Sequence, residues 1–346
     1  MIGRTLAAAL LLAAPALAET DHAAIAQRAL DQVILPGFSH LADEAGRLAD
    51  VTATACAGAG PIEVQALEDA YARTFDAWAE VGFLRLGPTE EDNAAFGIAF
   101  WPDTRGTIPR TLAAMIAAED PVAEDPAAFR SVSVAARGLM ALDQLLFDPG
   151  AAPVEAGSYT CRLLVAITGD LAATADLLLD RWRDPWGGLL TSAGNPANPV
   201  YLAPDESTRA LYSALTNGLQ SDIDLRLGRP MGTFDKPQPR RAEAWRSGRS
   251  LANVVASLKG MRAFTAAVFA PAIGPDAAAP VDAAFEAALA AAGRVNGPID
   301  QEVATVQGRF RVEALQSALR RVQAEVASHV GPTVGVASGF NAMDGD

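Results

Sequence analysis

The segment E-D-P-A-A-F-R-S-V-S-V-A-A-R-G-L-M-A-L-D-Q-L-L-F, residues 124–147, combines a helix start with an apolar pattern of helical spacing. Asp125 can accept hydrogen bonds from the first N–H groups of a helix, and Pro126 suits the first helical position. At the helical spacing, one face collects apolar side chains: Phe129, Val132, Ala136, Leu139, Met140, Leu146 and Phe147. The pattern predicts one helix over residues 125–147.

Asp143 falls near the middle of this apolar face. A carboxylate that points into a helical core must be paired, protonated or bound to a ligand, because its burial is otherwise unfavourable. We therefore expect either an ion pair or a binding site on the buried side of this helix. The sequence alone does not name the ligand.

Alanine-rich helical spacing continues through the rest of the chain and predicts an all-α protein. We expect two tandem antiparallel helical bundles, over residues 19–184 and 205–346, each similar to a four-helix bundle. The stretch between them, 185–204, is rich in Pro and Gly and is predicted to be the linker. The other predicted helices cover residues 21–55 with a bend at Pro36 and Gly37, 61–83, 108–118, 158–182, 205–227, 241–269, 281–295 and 299–329.

The first eighteen residues are typical of a secretory signal peptide. Arg4 supplies the positive charge, residues 6–14 the apolar core, and Ala16-Leu17-Ala18 the cleavage site. The pattern predicts export to a bacterial periplasm with cleavage after Ala18. No later segment has the length and apolarity of a membrane span, so no membrane insertion is expected. The net charge of −14 disfavours nucleic acid as a partner.

The chain has two cysteines, Cys56 and Cys161. In an oxidising compartment the simplest expectation is one disulfide between them. That bond would tie the end of the first helix to the start of the helix at 158–182. Two free, buried thiols are the alternative.

Gly138-Leu139-Met140-Ala141-Leu142-Asp143 resembles the G-x-H-x-x-E motif of the imelysin-like family. Gly138 matches, Met140 stands in place of the histidine, and Asp143 is a shorter acid than the glutamate. Companion motifs spread the resemblance over most of the chain. They are Trp78 with Gly87-Pro88, the F-W-P-D at residues 100–103, an R-x-G-x-P-x-G at 226–232, an A-E-x-W-R-S-G-x-S-L at 242–251, and the ending at 339–346.

The resemblance implies a periplasmic binding protein of iron or haem uptake, with Gly138, Met140 and Asp143 at the ligand-binding position. It also implies partners among the iron-uptake components of the cell envelope. Met140 is a soft ligand that suits copper(I) or haem, whereas Asp143 is a hard ligand that suits iron or calcium. As a pair they make a poor site for a hard metal ion. The alternative is a scaffold or interaction module that has lost the metal.

A second group of residues forms a possible site or a cluster of ion pairs between the two halves. Its members are aromatic, acidic, basic or hydroxylic: Trp78, Trp101, Asp103, Arg105, Arg246, Ser247, Arg249 and Ser250. The basic and hydroxyl residues at 246–250 are predicted to begin a helix, where they could hold an anion or neutralise Asp143 or Asp103. Trp78 is most simply explained as a core anchor. Asp103 and Arg105 are equally explained as a local pair in a loop held by its aromatic residues.

The imelysin-like family is named for a peptidase, but we expect this chain to have no enzymatic activity. A zinc peptidase of the common type needs H-E-x-x-H, and the three histidines, His22, His40 and His329, lack that spacing. The serine-hydrolase motif G-x-S-x-G is also absent from the sequence.

Overall fold

The computed structural model describes residues 20–150 and 154–335. The predicted signal peptide, residues 1–18, and the family-like ending at 339–346 lie outside the described residues. Within the described ranges the chain is helical without a β-strand; its β-type pairing is limited to two isolated bridges, Pro61 with Glu155 and Thr233 with Lys236. The all-α prediction is confirmed.

The α-helices of the first half are α1 (His22–Ala29), α2 (Leu35–Cys56), α3 (Val64–Val81), α4 (Ala94–Ile98), α5 (Thr107–Ala118), α6 (Pro126–Phe129), α7 (Gly138–Phe147) and α8 (Tyr159–Arg181). Those that follow are α9 (Gly187–Thr191), α10 (Glu206–Ser221), α11 (Arg229–Met231), α12 (Ser250–Phe264), α13 (Ala270–Ile273), α14 (Pro275–Ala292), α15 (Ile299–Glu302) and α16 (Val306–His329). Short π-helical turns continue several of them, including Leu30–Ile34 between α1 and α2.

The helices of each half pack mainly on one another, and α3 joins the halves by packing along α12. In the first half α2 packs along α3 and α8, and in the second α14 packs along α16. The contact between α3 and α12 is very close at Gly260, where an added Cβ would lie 2.0 Å from the carbonyl oxygen of Glu80. The buried apolar residues form one continuous core through both halves. The division at residues 185–204 therefore stays a prediction, although that segment is packed rather than extended: the buried Asn198 amide donates to the carbonyl of Leu189 (2.7 Å).

The disulfide between Cys56 and Cys161 is confirmed, with a Cα–Cα distance of 5.7 Å. Cys56 is the last residue of α2, and Cys161 lies in the first turn of α8. The bond therefore fastens these two adjacent helices at one end.

The single helix predicted over residues 125–147 is wrong. Asp125 does cap a helix, but α6 ends at Phe129, and a 3₁₀ turn at Val134–Ala136 precedes α7. The hydroxyl of Ser133 accepts a bond from the Ala135 N–H (3.3 Å), which competes with helix continuation. Gly138 is the first residue of α7 and has φ +67°, so it turns the chain instead of sitting inside a helix.

The helix predicted over residues 241–269 is also wrong at its start. In the structure α12 begins at Ser250, and the preceding residues form turns with positive φ at Ala244 (46°) and Gly248 (67°). Glu243 explains the irregular path: it is buried and accepts bonds from Arg226 Nε (2.8 Å) and Asn253 Nδ2 (3.0 Å). This network holds the turn against the helices, so Arg246 and Ser247 lie before α12 and not inside it.

Candidate functional site

Asp143 lies on α7 with none of its surface exposed, as its place on the apolar face predicted. Its Oδ1 accepts hydrogen bonds from the Ser247 hydroxyl (2.6 Å) and the Ser247 backbone N–H (3.1 Å). The Tyr71 hydroxyl is a longer contact of the same oxygen, at 3.4 Å. Oδ2 lies 3.8 Å from a guanidinium nitrogen of Arg246 and has no hydrogen-bond donor among the described residues. The carboxylate thus connects α7 of the first half to the turn before α12 of the second.

The electrostatic setting of this group follows from its burial. Burial raises the pKa of Asp143, and the bonds from Ser247 and the charge of Arg246 oppose this only in part. Burial, followed by the nearby charge of Asp143, raises the pKa of Tyr71 well above its usual range. Tyr71 therefore keeps its proton and remains a donor toward the carboxylate.

Arg246 adds a second contact between α7 and the turn before α12, nearer the surface than Asp143. Its Nε donates to Asp148 at 3.0 Å, and its guanidinium lies 4.5 Å from the ring centroid of Trp245. A backbone bond from Gly150, and then the bond from Arg246, lower the pKa of Asp148, so this carboxyl stays ionised as the partner of Arg246. Arg246 thus pairs with the residue that directly follows α7.

An open cleft of about 460 Å³ lies above this connection, and we call it the arginine cleft. Met140 and Gln144 of α7 form part of its wall, and Trp101 and Asp103 come from the loop before α5. The opposite side comes from the second half and consists of Arg229, Arg240, Arg241, Trp245 and Arg246. The cleft is therefore built from both halves of the chain, and its basic side chains all come from the second half.

Asp103 is the carboxylate in this lining, and it caps α5. It accepts bonds from the N–H groups of Thr107 (2.8 Å), Ile108 (2.8 Å) and Arg105 (3.3 Å). Burial works to raise the pKa of Asp103, but these backbone bonds outweigh it and the net shift is downward. Asp103 is ionised and stabilises the loop that carries Trp101.

The sequence model of the imelysin family matches residues 34–326 of the chain. This protein belongs to the imelysin family.

Solved structures show the same fold. One is an imelysin-like protein from Psychrobacter arcticum 273-4, with a TM-score of 0.76 and 19% identity over 94% of this chain and 100% of that chain. Another is a protein assigned as an iron-regulated protein A precursor from Parabacteroides distasonis ATCC 8503, with a TM-score of 0.67 and 12% identity over 88% of this chain and 95% of that one. No curated protein matches the chain.

Among the described helices, none combines the length and apolarity that a bilayer-spanning segment requires.

The imelysin motif positions have distinct places in the structure. Gly138 admits a close backbone approach, since an added Cβ would lie 2.3 Å from the carbonyl oxygen of Gly97 and 2.2 Å from that of Ile98. Met140 is buried and reaches the wall of the arginine cleft. Asp143 lies beneath it. The motif therefore forms the base of the cleft and the joint between the halves.

The donor set at these positions does not fit a bound iron ion. It offers one thioether and one carboxylate, and a guanidinium lies 3.8 Å from the carboxylate oxygen that is free of hydrogen bonds. A hard cation prefers several oxygen ligands, and the neighbouring guanidinium repels it. Within residues 20–150 and 154–335 there is also no group of three or more His, Cys, Asp or Glu side chains placed to hold a metal.

The second group of candidate residues divides in two. Trp101, Asp103 and Arg246 line the arginine cleft, with Ser247 beneath it. The others lie elsewhere and have structural contacts. Trp78 is buried in the core, Arg105 is exposed outside the cleft lining, Arg249 pairs with Asp76 and lies 5.8 Å from the Phe75 ring centroid, and Ser250 accepts a bond from the Ile299 N–H at 2.8 Å.

Several residues of the site were not predicted from the sequence. Tyr71 has the spacing of a core residue on α3, and only its hydroxyl distinguishes it from its apolar neighbours. Trp245 stood inside a family motif without a role assigned to it. Three arginines, Arg229, Arg240 and Arg241, lie within a Gly- and Pro-rich stretch of an acidic chain, and that clustering was the signal for a basic site.

Proposed function

We propose that this imelysin-family protein is a periplasmic binding protein of iron acquisition with no catalytic activity. One observation carries the proposal. The acid at the family's motif position, Asp143, is buried and bonded to Ser247 and beside Arg246, both from the other half of the chain. A binding cleft that opens next to such a joint is suited to hold a ligand between the two halves.

The same observation argues against a catalytic role for the motif. A general base must reach the proton that it removes, and its pKa must leave it ready to accept that proton. Oδ1 of Asp143 is already occupied by two donors of Ser247, and Oδ2 faces Arg246. The side chain is fully buried, so a peptide substrate has no access to it.

Two further observations support the location and the link to iron. The pattern of residues 1–18 is that of a secretory signal peptide. A structural relative is assigned as an iron-regulated protein A precursor, and this association comes to the present chain as part of the proposal.

A deletion strain of the source bacterium tests the function. We expect slower growth than the parent strain when iron is withheld by a chelator, and equal growth when iron is supplied. The chain expressed in trans should restore growth and should be recovered in the periplasmic fraction. Equal growth of both strains under iron limitation, or recovery of the protein in the cytoplasm, would contradict the proposal.

Peptidase activity is tested separately on unstructured peptides such as insulin chains. We expect no hydrolysis by the purified protein. Cleavage that a chelator abolishes, and that disappears in Asp143→Ala, would contradict the non-catalytic assignment.

A further inference from the structure

The arginine cleft concentrates positive charge, and three of its arginines have no close carboxylate partner among the described residues. Four arginines line it, together with a single carboxylate, Asp103. Arg246 is paired with Asp148. In the part of the chain that the structure describes, no carboxylate oxygen lies within 4.0 Å of the guanidinium nitrogens of Arg229, Arg240 or Arg241. On a protein with a net charge of −14, this cleft is a local site of the opposite sign.

Two of these arginines are close enough to repel each other. Burial, and then the positive charge of Arg241, lower the pKa of Arg229. Repulsion of this kind disfavours the empty cleft, and a bound anion relieves it. The arrangement therefore favours a negatively charged occupant.

Contacts within the protein hold the side chains of the cleft in place. The guanidinium groups of Arg240 and Arg246 both contact the ring of Trp245, at 5.5 and 4.5 Å from its centroid. The buried Glu243 anchors the same turn through Arg226 and Asn253. Side chains that are already held in place lose less conformational freedom on binding, which favours affinity.

We propose that the arginine cleft binds a small organic anion that carries two or more carboxylate groups. A guanidinium offers a planar pair of N–H donors that matches one carboxylate, and several guanidiniums at one site match several carboxylates. The cleft volume of about 460 Å³ suits a small molecule, and Trp101 and Trp245 offer apolar walls to its carbon skeleton. The inference rests on the proposed binding function and names the ligand class, which includes a ferric ion carried as a complex of such an anion.

Citrate is the probe for this site, titrated by calorimetry into the mature protein with its disulfide intact. We expect saturable binding with one site per chain, and much weaker binding of the monocarboxylate acetate. The variant Arg229→Gln/Arg241→Gln should weaken citrate binding by at least about tenfold, because charge-assisted hydrogen bonds are lost. The variant should fold normally, since it removes the repulsion between these two side chains.

A control variant changes the net charge by the same amount as Arg229→Gln/Arg241→Gln, but outside the cleft. Arg320→Gln/Arg321→Gln alters two exposed arginines of α16 that are not part of the cleft lining. Citrate affinity should stay within about twofold of the wild type, because long-range effects of surface charge are screened by salt. The proposal is overturned if citrate does not bind saturably, or if the two double variants weaken binding equally.

Binding of ferric citrate tests whether the protein recognises the anion or the metal ion. We expect its binding to depend on Arg229 and Arg241 as citrate binding does. Binding of ferric citrate that survives the Arg229→Gln/Arg241→Gln change, with no binding of citrate alone, would mean that the metal is recognised elsewhere and would overturn the proposal.

Arginine modification tests the site in the unaltered protein. Phenylglyoxal should modify Arg229, Arg240 and Arg241 more slowly when citrate is present, whereas Arg320 and Arg321 should react at the same rate. Equal rates at all five positions with and without citrate would refute the proposal. A growth defect under iron limitation together with no citrate binding removes this inference and leaves the proposed function. Citrate binding without a growth defect removes the proposed function and leaves the anion site.

Discussion

Asp143 is a buried carboxylate whose two oxygens have different surroundings. Oδ1 accepts two hydrogen bonds from Ser247, and Oδ2 faces Arg246 at 3.8 Å. An asparagine at this position keeps an oxygen for Ser247 and removes the buried charge. A leucine leaves the Ser247 N–H without this acceptor and leaves the Ser247 hydroxyl only the carbonyl of Ala244.

The two substitutions should therefore differ in stability. We expect Asp143→Asn to change the free energy of unfolding by less than about 1 kcal/mol, and Asp143→Leu to lower it by roughly 1–3 kcal/mol, because buried donors that lose their partner are not resolvated. Urea unfolding measures both. A larger loss in the asparagine variant than in the leucine variant would contradict this account of the joint.

The pH dependence of stability gives a second prediction at Asp143. Its pKa in the folded protein is raised by burial above the ordinary value of 3.8, so the folded state takes up this proton at a higher pH than the unfolded chain. The contribution of Asp143 to the free energy of unfolding is therefore most favourable at low pH. This contribution is lost as the pH rises through the window between 3.8 and the raised pKa. Asp222, whose pKa burial raises to about 6, contributes with the same sign.

Asp143→Asn should accordingly flatten the decrease in stability across this window, because the asparagine does not titrate. Urea unfolding of the wild type and of the variant at a series of pH values measures it. An unchanged slope in the variant would show that Asp143 does not contribute to the pH dependence.

The sequence predicted the burial of Asp143 because helical spacing within α7 is local and strict. It also placed Arg246 and Ser247 among the candidate partners, through a motif and not through geometry. Tyr71 and the arginines at 229, 240 and 241 were missed because their neighbours are set by chain turns. The conformation of those turns depends on buried contacts such as that of Glu243, which no local pattern contains.

At the scale of single elements, α7 depends on Gly138 for its starting point. The residue has φ +67°, and an added Cβ would meet two backbone carbonyl oxygens of α4. The helical spacing of Phe129, Val132 and Ala136 extended the predicted helix across this point. The β-branched residues Val132 and Val134, and the capping serine between them, weakened helix formation there.

Gly138→Ala is expected to be strongly destabilising, by more than about 2 kcal/mol, because strained backbone and a backbone clash add together. Gly157→Ala is the matched control. Its φ is +77°, but nothing lies within 4 Å of an added Cβ, so the variant reports the backbone strain alone. Thermal unfolding measures both, and equal losses would exclude a packing role for Gly138.

The disulfide acts on the pair α2 and α8. It closes a loop with a sequence separation of 105 residues. Replacing Cys56 and Cys161 together by serine should lower stability by about 2–4 kcal/mol, mostly because the unfolded chain gains freedom. The helical core should persist, so the far-ultraviolet circular dichroism at low temperature should not change; loss of that signal would mean that the bond is needed for folding.

At the scale of the whole molecule, the two halves meet along α3 and α12, next to the joint at Asp143. The helical spacing of the sequence predicted the all-α fold, which the structure confirms, but the close approach at Gly260 was not visible in the sequence. Glycine in a helix interior is unfavourable by itself. At position 260, glycine leaves the space that the backbone of Glu80 occupies.

Gly260→Ala should therefore lower the free energy of unfolding by roughly 1–3 kcal/mol through overpacking at this contact, despite the better helix propensity of alanine. Gly46→Ala in α2 is the control, since nothing lies within 4 Å of its added Cβ. That variant should be stabilised by up to about 1 kcal/mol. Stabilisation of both variants would contradict the close contact between α3 and α12.

We infer that Asp143 joins the two halves of the protein and does not hold a metal ion. The most direct test is the metal content, by mass spectrometry, of wild-type protein and Asp143→Asn purified in parallel from the periplasm. We predict the same metal content per chain in both proteins. A metal present at one equivalent in the wild type and lost in Asp143→Asn would contradict the account.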